Sequence, residues 1–162
     1  YKRKYTGVAM LIQVYLFLDI LDGNLARYKN MRSDFGAKLD SINDRFFYTL
    51  IFIFIGIGEV SWYLIISVVL LINIYAILAT FYIVPRLRKL NTVERFGIKK
   101  YFMDRGFIIG MDLGTVDILT TLFLLLDKIN ILYMVLTVGF VLDIIVRLIE
   151  LWWNERLEKV KQ

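Results

Sequence analysis

The chain has 162 residues, of which 59% are hydrophobic and 15% aromatic, and its formal net charge is +5. Soluble domains are roughly 45–50% apolar, so this composition argues against a soluble enzyme and favours a membrane protein. The chain contains no Cys and no His, which excludes disulfides, thiolate metal sites and histidine acid–base chemistry. Metal or proton-transfer chemistry would therefore depend on carboxylates, which prefer hard cations such as Mg²⁺, Mn²⁺ or Ca²⁺.

Five apolar segments are predicted to cross a membrane as helices, because each comes close to the roughly 20 residues that a crossing needs. In chain order they cover about residues 5–25, 40–57, 61–84, 106–126 and 129–149. Pro85 is predicted to end the third segment, and the short Asp127-Lys128 connection predicts an antiparallel hairpin of the last two. The expected fold class is an all-α membrane helical bundle, forming one domain over residues 1–162.

The basic residues lie between the apolar runs, mainly in segments 26–38 and 86–105 and in the C-terminal tail. This pattern is typical of membrane topology rather than of a nucleic-acid surface, so no nucleic-acid partner is expected. The positive-inside rule places these segments on the cytoplasmic side of the cell membrane. Lys2, Arg3 and Lys4 disagree, since five spans put them on the outer side. A missing first helix, making six spans, would resolve this and agrees with a start other than Met.

Four carboxylates lie where the first apolar segment ends and the second begins. Asp19 and Asp22 are three residues apart, and Asp40 and Asp44 are four apart. Both spacings place a pair on one helical face, so two adjacent helices could direct four carboxylates at one point. Acidic side chains near lipid are costly and indicate function. One or two divalent cations would relieve their mutual repulsion, and two would also clamp a diphosphate during an in-line displacement.

Other residues between these acids suit a phosphate ligand. Gly23 and Gly36 would let the backbone approach a ligand closely, and Arg27 offers a planar fork of donors. The competing interpretation is that the acids merely end two helices. Four acids in this register, beside two Gly and an Arg, favour a site.

Residues 19–44 follow a pattern with fixed spacing, D-x-x-D-G-x-x-A-R-x8-G-x-x-x-D-x-x-x-D. Its fixed positions are Asp19, Asp22, Gly23, Ala26, Arg27, Gly36, Asp40 and Asp44. It resembles the signature of the CDP-alcohol phosphotransferase (CDP-alcohol phosphatidyltransferase) family. The resemblance implies a membrane enzyme of phospholipid synthesis that uses two Mg²⁺ or Mn²⁺ ions. Such an enzyme transfers a phosphatidyl-type group from a CDP-linked lipid to the hydroxyl of a small alcohol and releases CMP.

The resemblance also implies a role for each motif position. The metal ligands would be Asp19, Asp22, Asp40 and Asp44. Asp44 would in addition act as the general base on the acceptor hydroxyl. The residues expected to bind the cytidine diphosphate are Asp22, Gly23, Ala26, Arg27 and Gly36.

Residues outside the motif suggest where the acceptor binds. The segment Met103–Gly106 resembles an acid–arginine pair of related enzymes, so Arg105 is predicted to bind a phosphate or carboxylate of the acceptor; otherwise it is an interfacial anchor. The sequence around Asp44 and Arg45 resembles the inositol-phosphate and glycerol-phosphate branches more than the serine branch. Asp143 and Arg147, four apart, are interpreted as a structural pair.

Two other classes of function compete. An ion or proton transporter could use the same acids as a relay, although its acids would be spread along a path through broken helices. A non-catalytic scaffold would not need the ordered acids.

Gly106, Gly110 and Gly114 form a stripe of small residues that would allow close helix approach. Membrane lipids and a second copy of the chain are further possible partners.

Overall fold

The chain folds as a bundle of helices. The computed structural model describes residues 3–31, 33–90, 93–95, 100–101, 105 and 110–161. The helices in these ranges are α1 (Arg3–Tyr28), α2 (Asp34–Gly56), α3 (Trp62–Ile77), α4 (Val84–Leu87), α5 (Leu113–Leu125) and α6 (Ile129–Lys161). A π-helical segment, Leu78–Ile83, joins α3 to α4. The described ranges contain no strand, so the all-α prediction is confirmed.

Within the described residues, three continuous helical stretches are long and apolar enough to cross a membrane, namely Tyr5–Tyr28, Trp62–Leu87 and Ile129–Lys159. These stretches support the prediction of a membrane protein. Helix α2 is long enough to cross, but its N-terminal half carries the acidic residues. Helix α5 has 13 residues, and residues 106–109 of the predicted fourth span lie outside the described ranges. The count of five spans therefore stays a prediction.

Helices α1, α2 and α6 extend beyond the predicted apolar segments. Helix α1 runs to Tyr28 and α2 begins at Asp34, so the turn between them is shorter than the basic segment 26–38. Polar side chains on these end turns can face water while the backbone stays helical, so hydropathy underestimates the helix length. In the turn, Asn30 adopts a left-handed φ of 53°, and the Ser33 hydroxyl caps α2 by accepting from the Gly36 N–H at 3.0 Å.

Pro85 does not end the third helix, contrary to the prediction. It lies in the first turn of α4, which continues to Leu87. A proline is tolerated in a first turn because its missing N–H needs no helical acceptor there. The π-helical turn before it, in which the Val84 N–H reaches the Ala79 carbonyl, shifts the hydrogen-bond register so that the chain remains helical.

The stripe of glycines predicted on one helix face is also not found as such. Asp112 caps α5 by accepting a hydrogen bond from the Thr115 N–H at 2.8 Å, so the helix starts after Gly110. Gly110 lies in a bend instead, and Gly106 is outside the described residues. The stripe therefore does not run along a single helix.

The helices pack as a chain of neighbours: α1 against α5, α5 against α6, α6 against α3, and α3 against α2. The short turn between α5 and α6 confirms the predicted hairpin. Buried apolar side chains fill the centre; the most enclosed include Ile12, Phe52, Val68, Leu132 and Leu136. Many large apolar side chains instead point outward, as expected for a surface solvated by lipid. The turn between α1 and α2 brings Asp19, Asp40 and Asp44 together.

Candidate active site

Asp19, Asp40 and Asp44 form a carboxylate cluster between α1 and α2. One oxygen from each lies within 4.8 Å of the other two. Asp19 and Asp44 are half-buried, whereas Asp40 is exposed. Asp19 comes from α1, and the other two come from successive turns of α2, as their spacing predicts. Three carboxylate oxygens at this separation are a donor set that suits one hard divalent cation.

Asp22, the fourth predicted metal ligand, lies outside this group of three among the described residues. It is exposed and follows Asp19 by three residues on the same face of α1. Its carboxylate therefore stands one turn further towards the helix end. The structure brings together three of the four predicted ligands, and the role of Asp22 stays a prediction.

The predicted cytidine-diphosphate residues lie around the last two turns of α1 and the start of α2. A Cβ built at Gly23 meets nothing within 4 Å, so the surface beside it is open. Ala26 is half-buried and Arg27 is exposed. A Cβ at Gly36 would lie 3.1 Å from the Ser33 hydroxyl that caps α2, so the small residue preserves the cap. These residues border an accessible surface next to the carboxylate cluster.

An aromatic contact that the motif does not contain supports Asp44. The Tyr15 hydroxyl donates a hydrogen bond to Asp44 Oδ1 at 2.8 Å. The Tyr15 ring stacks on Phe47 with centroids 3.7 Å apart and planes 7° apart. Tyr48 meets Tyr15 edge-on at 6.4 Å and donates through its hydroxyl to Asp117 at 2.9 Å. Tyr15 lies four residues before Asp19, and this shared helical face was the only sequence signal that could have identified it.

A cavity of about 320 Å³ opens beside the cluster, between α2, α3, α5 and α6. Asp40 and Asp44 line it as well as belonging to the cluster. The other polar lining residues are Ser41, Arg45, Tyr48, Tyr75 and Asp112, and the apolar ones are Ile72, Ala76, Met111, Leu113, Val116 and Phe140. Pockets of this size, largely apolar with a few polar groups, are typical of small-ligand sites.

Arg45 brings a positive charge to this cavity. Its Nη2 donates to the Ser41 hydroxyl at 3.3 Å. Its Nε is buried and has no hydrogen-bond partner. A buried donor without a partner is costly, and a ligand acceptor group in the cavity would satisfy it.

A family model described as CDP-alcohol phosphatidyltransferase matches residues 2–138. The match covers most of the chain and includes every motif position and all of the carboxylate cluster. The chain belongs to the CDP-alcohol phosphatidyltransferase family. No curated protein and no solved structure was found to match it.

Membership of this family implies a transferase of phospholipid synthesis that moves a phosphatidyl group from a CDP-alcohol to an acceptor. The family uses divalent metals, and the cluster of Asp19, Asp40 and Asp44 offers the oxygen donors that such ions require. The predicted family, fold class and general activity thus agree with the comparison and the fold.

A pair of oppositely charged side chains lies behind the cavity. Asp143 Oδ2 accepts from Arg147 Nε at 3.0 Å and from the Met111 N–H at 3.1 Å. The Arg147 guanidinium lies 5.2 Å from the centroid of the Tyr75 ring. Gly110 permits this packing, since a Cβ there would lie 3.2 Å from Arg147 Nη2. The predicted pair of Asp143 and Arg147 is confirmed, and it fixes the segment before α5 against α6.

Arg105, predicted to bind the acceptor, is exposed. It donates to the Tyr101 carbonyl at 3.0 Å, and its guanidinium lies over the Tyr101 ring at 3.6 Å. It is absent from the described lining of the cavity. The rest of the segment Met103–Gly106 lies outside the described residues, so its acceptor role stays a prediction.

Proposed function

We propose that this protein transfers a phosphatidyl-type group from a CDP-linked lipid to the hydroxyl of a small polar alcohol, releasing CMP at the cytoplasmic face of the membrane. One observation carries the proposal: Asp40 and Asp44 belong both to the carboxylate cluster and to the wall of the cavity. A donor diphosphate held at the cluster and an acceptor held in the cavity would therefore meet at these residues.

The metal-binding part of the proposal uses Asp19, Asp22, Asp40 and Asp44 as ligands of two Mg²⁺ or Mn²⁺ ions. When bound, such ions neutralise the diphosphate and stabilise the charge that develops during an in-line displacement. The three clustered carboxylates support one ion site directly by their separation. Asp22, one turn away on the same face of α1, would contribute at the solvent side.

The donor would lie along the open end of α1. Arg27 is exposed, and no described hydrogen bond or ion pair engages its side chain, so its guanidinium is available for the diphosphate oxygens. Gly23 leaves room for the nucleotide. Asp22, Ala26 and Gly36 would complete the cytidine-diphosphate site around it.

Asp44 would act as the general base. Its Oδ1 accepts the Tyr15 hydrogen bond, which makes Oδ2 the oxygen proposed to take the acceptor proton. As the proton moves to Oδ2, the acceptor oxygen bonds to the phosphatidyl phosphorus, and the bond from that phosphorus to the bridging oxygen breaks. The bridging oxygen and its electron pair leave with CMP. The chain contains no His or Cys that could serve as the base instead.

The cavity would hold the acceptor, with Arg45 binding an anionic substituent on it. The buried Nε of Arg45 lacks a partner, and the Ser41 hydroxyl lies beside the same guanidinium. An acceptor with a phosphate group would supply oxygens to both residues while its hydroxyl reaches Asp44. This supports an inositol phosphate or glycerol phosphate, the acceptor classes that the sequence around Asp44 resembles.

The transporter alternative requires acids distributed along a path. Asp19, Asp40 and Asp44 instead gather within 4.8 Å of one another, in a chain that matches a transferase family. Both observations favour the transferase.

The test is an assay of CMP release by the purified protein in lipid nanodiscs. The mixture contains CDP-diacylglycerol, Mg²⁺ or Mn²⁺, and one of a panel of alcohols and alcohol phosphates. We expect release that depends on both metal and acceptor, that is lost in Asp44→Asn, and that persists in Asp127→Asn, which alters an exposed acid in the α5–α6 turn. Absence of CMP with every acceptor, or full activity in Asp44→Asn, would refute the proposal.

A further inference from the structure

Tyr15 lies outside the family motif and contacts the proposed base directly. We infer that Tyr15 is a positioning residue, which holds the Asp44 carboxylate in the orientation that the cluster and the acceptor require. The inference rests on the proposed function and extends it to a side chain on a different helix from Asp44.

The contact between Tyr15 and Asp44 is well formed for orienting a carboxylate. The hydroxyl-to-Oδ1 distance of 2.8 Å is an ordinary length for an O–H···O hydrogen bond. Because this bond holds Oδ1 towards α1, it restricts rotation of the carboxylate about its last torsion. Oδ2 then remains on the side away from the Tyr15 hydroxyl. Without the bond, the carboxylate torsion would be broad and roughly two-fold.

Packing, rather than solvent, determines where the Tyr15 hydroxyl lies. Phe47 is three residues after Asp44 on α2, so both present the same helical face to Tyr15. The parallel stack of the Tyr15 and Phe47 rings, at 3.7 Å, fixes the ring plane. Tyr48 closes the arrangement with edge contacts to Tyr15 and to Phe47. Tyr15 would have to leave this stack in order to release Asp44.

The Tyr48 ring is itself anchored to a third helix. Its hydroxyl donates to Asp117 of α5, and Asp117 is only 1% exposed. Tyr48 is also buried, at 3% exposed. The orientation of Asp44 is therefore connected, through adjoining rings, to the packing of α1, α2 and α5.

Such a support matters because Asp44 would have two partners, the metal and the acceptor. Residues that orient metal ligands typically contribute about 10- to 100-fold in metal affinity or activity. Misplacement of a reacting group by about 1 Å can cost about 100-fold in rate. Loss of the Tyr15 hydroxyl should therefore reduce turnover without affecting how the nucleotide binds.

Tyr15→Phe tests the inference, since it removes the hydroxyl and preserves the ring stack. At saturating metal, we expect kcat to fall about 10- to 100-fold, with KM for CDP-diacylglycerol within about twofold of the wild-type value. Mn²⁺ affinity, measured by electron paramagnetic resonance without substrates, should weaken about tenfold. The matched control is Tyr133→Phe, because the buried Tyr133 hydroxyl donates to the Phe52 carbonyl away from the cluster. It should lower Tm and leave both kcat and Mn²⁺ affinity unchanged.

Phe47→Leu is a second variant, which retains the hydroxyl but removes the stack. It should lower kcat by less than Tyr15→Phe, and it decides the question if Tyr15→Phe does not fold. Wild-type kcat and Mn²⁺ affinity in Tyr15→Phe, or in Phe47→Leu if only that variant folds, would overturn the inference. Failure of the wild-type protein to release CMP would instead refute the proposed function, while the Mn²⁺ comparison would still test the support of Asp44.

Discussion

The Tyr48 hydroxyl, on α2, donates a hydrogen bond at 2.9 Å to the Asp117 carboxylate on α5. Both side chains are almost completely buried. Leaving a buried polar group without its hydrogen-bond partner costs about 1–3 kcal/mol of the free energy of unfolding. The pair therefore stabilises the contact between the helix that carries the proposed base and the helix that packs against α1.

Tyr48→Phe should consequently destabilise the protein by about 1–3 kcal/mol. The variant in detergent is heated while circular dichroism monitors its unfolding, and the destabilisation should appear as a lower Tm. Tyr63→Phe serves as the control, since Tyr63 is 87% exposed and should leave Tm unaltered. Equal Tm values for the two variants would show that Asp117 does not depend on Tyr48.

Arg45→Gln should weaken binding of phosphorylated acceptors selectively. A hydrogen bond to a charged group contributes about 1.5–3 kcal/mol, so KM for the acceptor should rise about 10- to 150-fold. KM for the unphosphorylated parent alcohol should change little, and KM for CDP-diacylglycerol should not change. Steady-state CMP release with each acceptor gives these constants.

Arg156→Gln is the matched control for removal of one positive charge. Arg156 lies over Trp152 near the end of α6 and lines neither the cavity nor the cluster in the described structure. It should leave every KM unchanged. If Arg45→Gln raises KM for the neutral and the phosphorylated acceptor equally, Arg45 does not select an anionic group.

The carboxylate cluster could be predicted from sequence because helical geometry is local. The spacing of Asp40 and Asp44 places both on one face whatever the rest of the fold does, and the polar residues before them indicate a nearby chain reversal from Asp19. The contact of Tyr15 with Asp44 depends instead on how α1 crosses α2. Nothing in the spacing of either segment specifies that crossing, so the support of the proposed base appeared only in the structure.

The cavity could not be predicted from the sequence, and the predictions at Pro85 and Gly110 were wrong. The cavity draws its lining from four helices, and in the sequence Arg45 is only a neighbour of Asp44 within a stretch that resembles two branches of the family. Pro85 predicts a helix end, but the π-helical turn before it accommodates the ring. The glycine spacing predicts a helix that includes Gly110, but the Asp112 cap starts α5 after that residue. The helix boundaries near Pro85 and Gly110 both depend on local hydrogen bonds that the composition of the chain does not determine.

Asn154→Ala should release the segment around Glu94 from α6. Asn154 is 2% exposed; its Oδ1 accepts from the Glu94 N–H at 2.6 Å, and its Nδ2 donates to the Glu94 carbonyl at 2.9 Å. Loss of both bonds should raise the rate of tryptic cleavage after Arg95 several-fold, because cleavage follows local opening. Mass spectrometry of a limited digest identifies the site.

Asn130→Ala controls for loss of an asparagine, since Asn130 is exposed near the start of α6. Its digest should match that of the wild-type protein. An unchanged cleavage rate in Asn154→Ala would mean that contacts other than the Asn154 side chain hold the segment.

The proposed orientation can be tested by labelling, since the chain contains no Cys and a single introduced thiol is unambiguous. Lys29→Cys marks the turn between α1 and α2, and Asp127→Cys marks the turn between α5 and α6. Both positions are exposed. The positive-inside rule assigns the first turn to the cytoplasm and the second to the outside.

In intact cells, a membrane-impermeant maleimide should label Asp127→Cys, whereas Lys29→Cys should react only after the membrane is opened. The unaltered chain should take up no label. Reaction of Lys29→Cys in intact cells would place the carboxylate cluster on the outer face and contradict the proposed access of CDP-linked lipid from the cytoplasm.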